Sequence, residues 1–208
     1  IGTFGPKRVA RAVEFDYDGV IAADEVIDDD VFISSEKVVV DGVVKGNLFV
    51  SASNAEINGT VGGDLLVTSA DVTFNGQVDG NMAFAGQFLS LEGAVDGSLF
   101  ALGNTAELGP SAVVGRNLFF LGFGLVTEPG STVGRDMQAT GYQALLGGRV
   151  DRDVRASLGA LEIEGAIGGD VVAEVSEPEE APQFRLPGFE VSMAPAGLRV
   201  AEEAQIDG

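Results

Sequence analysis

An apolar residue recurs along this chain at a nearly fixed interval: Ile27, Val44, Val61, Val78, Val95, Val114, Val133, Val150 and Ile167 are separated by 17, 17, 17, 17, 19, 19, 17 and 17 residues. Such an interval is too short for a helix pair or a propeller blade in each repeat. The residues that follow each anchor are equally regular. Three positions on comes Asp30, Asn47, Asp64, Asn81, Ser98, Asn117, Asp136, Asp153 and Asp170. Four and six positions on lie apolar residues, as in Leu48/Val50, Leu65/Val67 and Met82/Phe84. The second half of most repeats adds another alternating pair (Val38/Val40, Val72/Phe74, Leu89/Leu91, Leu161/Ile163) and then a Gly such as Gly42, Gly59, Gly76 or Gly93.

Apolar residues at i and i+2, broken by Gly and Asn/Asp, mark short strands and tight turns. The reading is an all-β chain: a β-solenoid of about nine coils with roughly three short strands per coil, each residue stacking on its equivalent about 4.8 Å away. Every coil must then present the same residue type at the same place. The two 19-residue repeats place their extra residues around Leu108–Gly115 and Leu125–Gly134, where turns absorb insertions and stacked strands do not. Four parts follow: residues 1–24 as an N-terminal arm or cap, 25–175 as the solenoid, 176–196 as a Pro-rich excursion, and 197–208 as a resumed repeat. The chain starts on Ile and stops at "AQIDG", the opening of another repeat, so it reads as a piece of a longer product.

Composition narrows the function. The 208 residues hold no Cys, so neither disulfides nor thiolate chemistry arise, and no His, the commonest general base. With 32 acidic and 12 basic residues the net charge is −20, which a phosphate backbone would repel. The acidity fits a solvated surface, a salty medium or cation-bridged assembly. No apolar run reaches the ~18 residues that span a bilayer, so a membrane would be reached only through segments outside this chain. No phosphate-binding Gly loop ending in Lys-Ser/Thr occurs, and the acids are dispersed among turns. The expectation is no enzyme, no cofactor and no catalytic or metal-ligating residue.

Two columns admit competing readings. The Asp/Asn column is a turn motif whose side chains bond to backbone, or a ladder of carboxylates for a hard cation; free exchange of Asn, Ser and Asp favours the turn. Arg116, Arg135 and Arg152 replace Gly in one column of three successive coils. They stand as solvated side chains or need counter-charges, which Asp151 and Asp153 or another molecule could supply.

The stretch "VVDGVVKGNLFVSASNAEINGTVGGDLLV" resembles the bactofilin or polymer-forming family, whose coils read G-x-V-x-G-D/N-L. The resemblance covers roughly Asp24 to Val175. It implies a right-handed parallel β-helix that polymerises end to end without nucleotide, a homopolymeric structural protein. The Pro-rich excursion and the resumed "GLRVAEEAQIDG" are more similar to surface-exposed relatives than to cytosolic members with uniform cores. An extracellular or cell-surface place is therefore expected, with a cytoplasmic cytoskeletal role as the alternative. A different class of function stays open as well: a monomeric solenoid module that binds divalent cations or glycans.

Three sets of residues carry these expectations. Unpaired edges for end-to-end contact are expected at Ile27, Val31 and Ile33 and at Leu198, Val200 and Ile206. An outward apolar stripe is expected at Phe32, Phe49, Leu66, Phe100, Leu102, Phe119 and Leu121, buried either by another subunit or by the arm, whose Val9, Val13, Phe15 and Tyr17 alternate as a strand would. Phe184, Leu186 and Phe189 of the excursion are expected to dock on the rod or on a neighbour.

Overall fold

The computed structural model describes residues 14–16, 19–176 and 195–208. Within them the chain is all β: parallel strands stacked as a solenoid of about nine turns. Each regular coil consists of one ten-residue strand, for example Leu48–Ile57, Leu65–Phe74 or Met82–Leu91, and one two-residue strand, for example Thr60–Val61 or Gln77–Val78. The long strands build one parallel sheet and the short strands a second one.

The ten-residue strand turns a corner inside itself. Register runs from Leu48↔Leu65 to Ala52↔Ser69 and resumes at Asn54↔Asp71, passing over Ser53 and Ala70. Two successive residues, Ser53 and Asn54, are exposed there, which breaks the period-2 alternation and folds the strand into two faces. With the short strand this gives three faces per coil, in agreement with the three short strands read from the sequence.

The inward columns are those expected. In one coil Leu65, Val67, Val72, Phe74 and Val78 are all buried, and the same places are filled by Met82, Phe84, Leu89, Leu91 and Val95 in the next. Full burial of such side chains stabilises by about 1.5–3 kcal/mol each before ordering costs. The Gly column after the second strand face has a steric cause. A Cβ at Gly59 would run into the carbonyl oxygen of Gly42, one at Gly76 into that of Gly59, and one at Gly93 into that of Gly76. Only Gly lets the backbones stack this closely.

Both insertions sit in turns. Ala112 N donates to Gly109 O at 3.0 Å and Ser131 N to Glu128 O at 3.0 Å, closing β-turns around Pro110–Ser111 and Pro129–Gly130. Gly130 has φ +106°, the left-handed value that the third position of a type II turn requires, behind a Pro that presets the second. The long excursion is accommodated in the same manner. Val171–Val175 and Gly197–Val200 both pair with Val154–Ile163, the first on Val154–Leu158 and the second on Ala160–Ile163. They are two halves of one coil, and the excursion enters at its corner. Gln205–Ile206 completes that coil on Ala166–Ile167.

The solenoid starts earlier than the anchor pattern indicates. Glu14–Asp16 pairs with Val31–Ile33 and Val20–Ile21 with Val39–Val40, both in parallel register. The expected boundary at residue 24 is therefore corrected: part of the arm is a coil.

Candidate functional site

Among the described residues the features that could act are the coil ends, the outward columns and the polar ladders.

At the C-terminal end the inward columns are open. Leu198 is in register with Leu161, Val200 with Ile163 and Ile206 with Ile167. Leu161, Ile163 and Ile167 are 1–2% exposed, whereas Leu198 and Val200 are each 50% exposed and Ile206 is 38% exposed. The same residue type in the same column is covered in one coil and bare in the next, because no described coil lies beyond. The strands Val171–Val175, Gly197–Val200 and Gln205–Ile206 are also sheet edges, with backbone groups pointing along the axis.

The N-terminal end differs. Ile27 belongs to Val26–Ile27, the terminal strand of the short-strand sheet, yet it is buried, as is Ile21. Val31 and Ile33 are not at an edge, contrary to expectation: their strand is flanked by Glu14–Asp16 on one side and Leu48–Ile57 on the other.

The outward stripe is where the alternation places it. Phe32, Leu66, Phe100, Leu102 and Leu121 are between 37% and 54% exposed, and Phe49 and Phe119 are partly buried beside them. Phe32 stacks on Phe49 with centroids 4.2 Å apart and Phe100 on Phe119 at 5.0 Å. A shallow groove of about 310 Å³ runs between Phe100/Phe119 and Leu102/Leu121 and ends at Gln138 and Thr140. The described part of the arm does not cover this face. Phe15 is the register partner of Phe32, so its strand lengthens the stack along the axis instead of crossing it. Val9, Val13 and Tyr17, and likewise Phe184, Leu186 and Phe189, lie outside the described residues.

The Asp/Asn column is a hydrogen-bond ladder. Each side-chain oxygen accepts the backbone N–H of its equivalent in the next coil: Asp30 Oδ1 from Asn47 at 2.7 Å, Asn47 Oδ1 from Asp64 at 2.8 Å, Asp64 Oδ1 from Asn81 at 2.7 Å and Asn81 Oδ1 from Ser98 at 3.0 Å. It continues with longer bonds through Ser98, Asn117, Asp136 and Asp153 to Asp170 N. The role needs only an acceptor, which is why Asn, Asp and Ser interchange. The Arg column does not use the neighbours expected for it. Asp151 pairs with Arg149, and Asp153 with Arg155 at 3.1 Å, while Arg116, Arg135 and Arg152 are exposed. Among the described residues no group of three or more carboxylates is arranged to hold a metal ion.

Among the described residues one carboxylate, that of Glu107, is perturbed. Glu107 shares a side-chain hydrogen bond with Glu128, which together with partial desolvation and the nearby charges of Glu128 and Glu92 raises its pKa above the ordinary value. Glu92 in turn accepts the Ser111 hydroxyl at 2.6 Å. Adjacency of these acids comes from coil stacking across residues far apart in sequence, so no local motif announced it.

Compared with known proteins, the chain matches no family model, no curated protein and no solved structure.

Proposed function

We propose that this protein is a structural, self-assembling solenoid protomer of a filament or surface scaffold, growing end to end without nucleotide, in the manner of the polymer-forming family it resembles. The observation that carries the reading is the last described coil: Leu198, Val200 and Ile206 occupy core columns yet are exposed, beside three strand edges that no further described strand pairs. Apolar core positions and backbone groups at one end of a parallel stack favour another parallel coil, whether a continuation of the chain or a second protomer supplies it. A place at the cell surface is part of the same proposal, and rests on the likeness of the Pro-rich excursion and resumed repeat to surface-exposed relatives of that family.

Electron microscopy of the purified chain tests it. Threads many protomers long should form without ligand, and Leu198→Asp with Val200→Asp should leave isolated short rods. Short rods for the unmodified chain at every salt concentration would refute the reading and favour a monomeric binding module.

A further inference from the structure

One face of the rod carries no charge. The outward positions of the first strand face run in two columns, Phe32 to Gln138 and Ser34 to Thr140. Across seven successive coils none of these fourteen residues is ionisable. The second strand face of the same sheet carries Lys37, Glu56, Asp71, Glu107 and Glu162 at its outward positions. On a chain of net charge −20 an uncharged, partly aromatic face is the one side on which two copies meet without carboxylates between them.

We infer that this face is the contact between two copies of the chain packed side by side and antiparallel, with the two-fold axis between the coils of Ala83 and Phe100. The inference is independent of end-to-end growth. Its first support is volume. About that axis the coil of Phe100 and Leu102 lies opposite the coil of Ala83 and Ala85, and that of Phe119 and Leu121 opposite that of Leu66 and Thr68. In the innermost layers large side chains therefore oppose alanines, and Leu121 opposes the smaller Thr68, as interdigitated sheet faces require. A parallel pair, with its two-fold along the rod, would set Phe100 against Leu102 and Ala83 against Ala85, crowding one layer and leaving a void in the next.

The rim supplies a second, separate support. The hydrogen-bond ladder borders this face, and the same axis brings Asp64 opposite Asn117, Asp136 opposite Asn47, and Asn81 opposite Ser98. Each of these carboxylates meets an amide. Asp30 meets Asp153, whose charge is already held by Arg155 at 3.1 Å, and Arg155 itself faces the Phe32–Phe49 stack, a cation–π arrangement. A parallel pair would carry the two ladders to opposite rims and make none of these carboxylate–amide contacts. Charge along the rod agrees: on the two sides of the axis, residues 19–91 carry eleven acids and two lysines, whereas 92–175 carry eleven acids and five arginines. Antiparallel packing lays the more acidic half beside the one that holds the arginines.

The coils from Phe32 to Arg155 span about 34 Å at 4.8 Å per coil, and the strand face is about 13 Å wide. The footprint is about 450 Å² per copy, or about 900 Å² in all, close to the ~1,000 Å² that marks a specific interface. The pair should therefore be reversible and concentration-dependent.

Analytical ultracentrifugation with site-directed cross-linking tests the inference, because the chain has no native Cys. The Leu198→Asp, Val200→Asp background removes end-to-end growth from view. In it, the mass should rise from monomer to dimer with concentration. Phe100→Asp with Phe119→Asp should hold the mass at monomer while the far-UV circular dichroism spectrum is unchanged. A short bis-maleimide should join two copies through Ala83→Cys, which lies one coil from its own mate. It should not join them through Thr140→Cys, whose mate is five coils, about 24 Å, away. Monomer mass at all concentrations, a dimer that survives the paired Asp substitutions, or cross-linking at Thr140→Cys would each overturn it.

Discussion

Asp30 and Asn47 are joined twice: Asp30 Oδ1 accepts the backbone N–H of Asn47 at 2.7 Å and its side-chain amide at 3.0 Å. The same pair of bonds recurs two coils further up for Asp64 and Asn81. A short polar side chain thus closes the turn of the next coil, so the column is a seam between coils.

Breaking one rung should cost accordingly. Asn47→Ala leaves the Asp64 N–H without its acceptor at 2.8 Å, a loss of about 1–2 kcal/mol. Urea denaturation should show that loss, while Asn47→Asp, which keeps an acceptor, should lose less than half as much. Equal losses would mean that the side-chain oxygen is not what the turn uses.

The ladder also bears on cations. Its oxygens already accept backbone N–H groups, so calcium should bring no large gain. Melting temperatures with calcium and with a chelator should agree within about 2 °C, a gap that corresponds to less than ~1 kcal/mol.

Glu107 gives a pH dependence with a definite sign. Its hydrogen bond with Glu128 favours the protonated acid, and its folded pKa lies above the unfolded value. In the interval between the two the folded chain binds more protons. The contribution is thus complete below the unfolded pKa and is lost as pH rises through the folded one. Glu107→Gln, which keeps a donor for Glu128, should stabilise the protein at pH 7 by at most about 0.5 kcal/mol, since the site is solvent-screened. The gain should shrink toward pH 4, as read from chemical denaturation at both values.

Gly59→Ala should be far more damaging than a methyl group implies. The added carbon meets the Gly42 carbonyl oxygen, and neither backbone can retreat without shifting a stacked coil. A loss of at least about 2 kcal/mol is expected, comparable to overpacking a core. Thermal unfolding will report it.

Salt should control assembly. Protomers of charge −20 repel one another over about 10 Å at 0.1 M ionic strength and much further in dilute buffer. Light scattering should rise between low and physiological salt, and a flat response would contradict self-association through faces of this acidic rod.

The middle of the rod is legible in the sequence because stacking makes every inward column repeat. Leu65, Met82, Leu99 and Leu118 answer to one position and announce it four times. The first coil escaped the reading for a physical reason. The positions in register with Val31 and Ile33 are Glu14 and Asp16, so the apolar signal stops although the ladder does not. Val31 and Ile33 therefore looked terminal. The pairing of Arg149 with Asp151 and the adjacency of Glu107 to Glu128 depend on rotamers and on coil-to-coil offsets, which a period does not encode.

Near-identical coils carry a hazard of their own, since a strand displaced by one whole coil still meets Leu with Leu and Gly with Gly. Registers that differ by 17 residues are close to degenerate, and a folding chain would have many of them to choose among. The proline turns at Gly109–Ala112 and Glu128–Ser131 remove that degeneracy. A coil two residues longer matches its neighbours only in the correct order, and a slip would set a longer proline turn against a tight Gly turn that has no room for it. These turns act as index marks on an otherwise uniform scale, so that a repetitive sequence still specifies a single alignment.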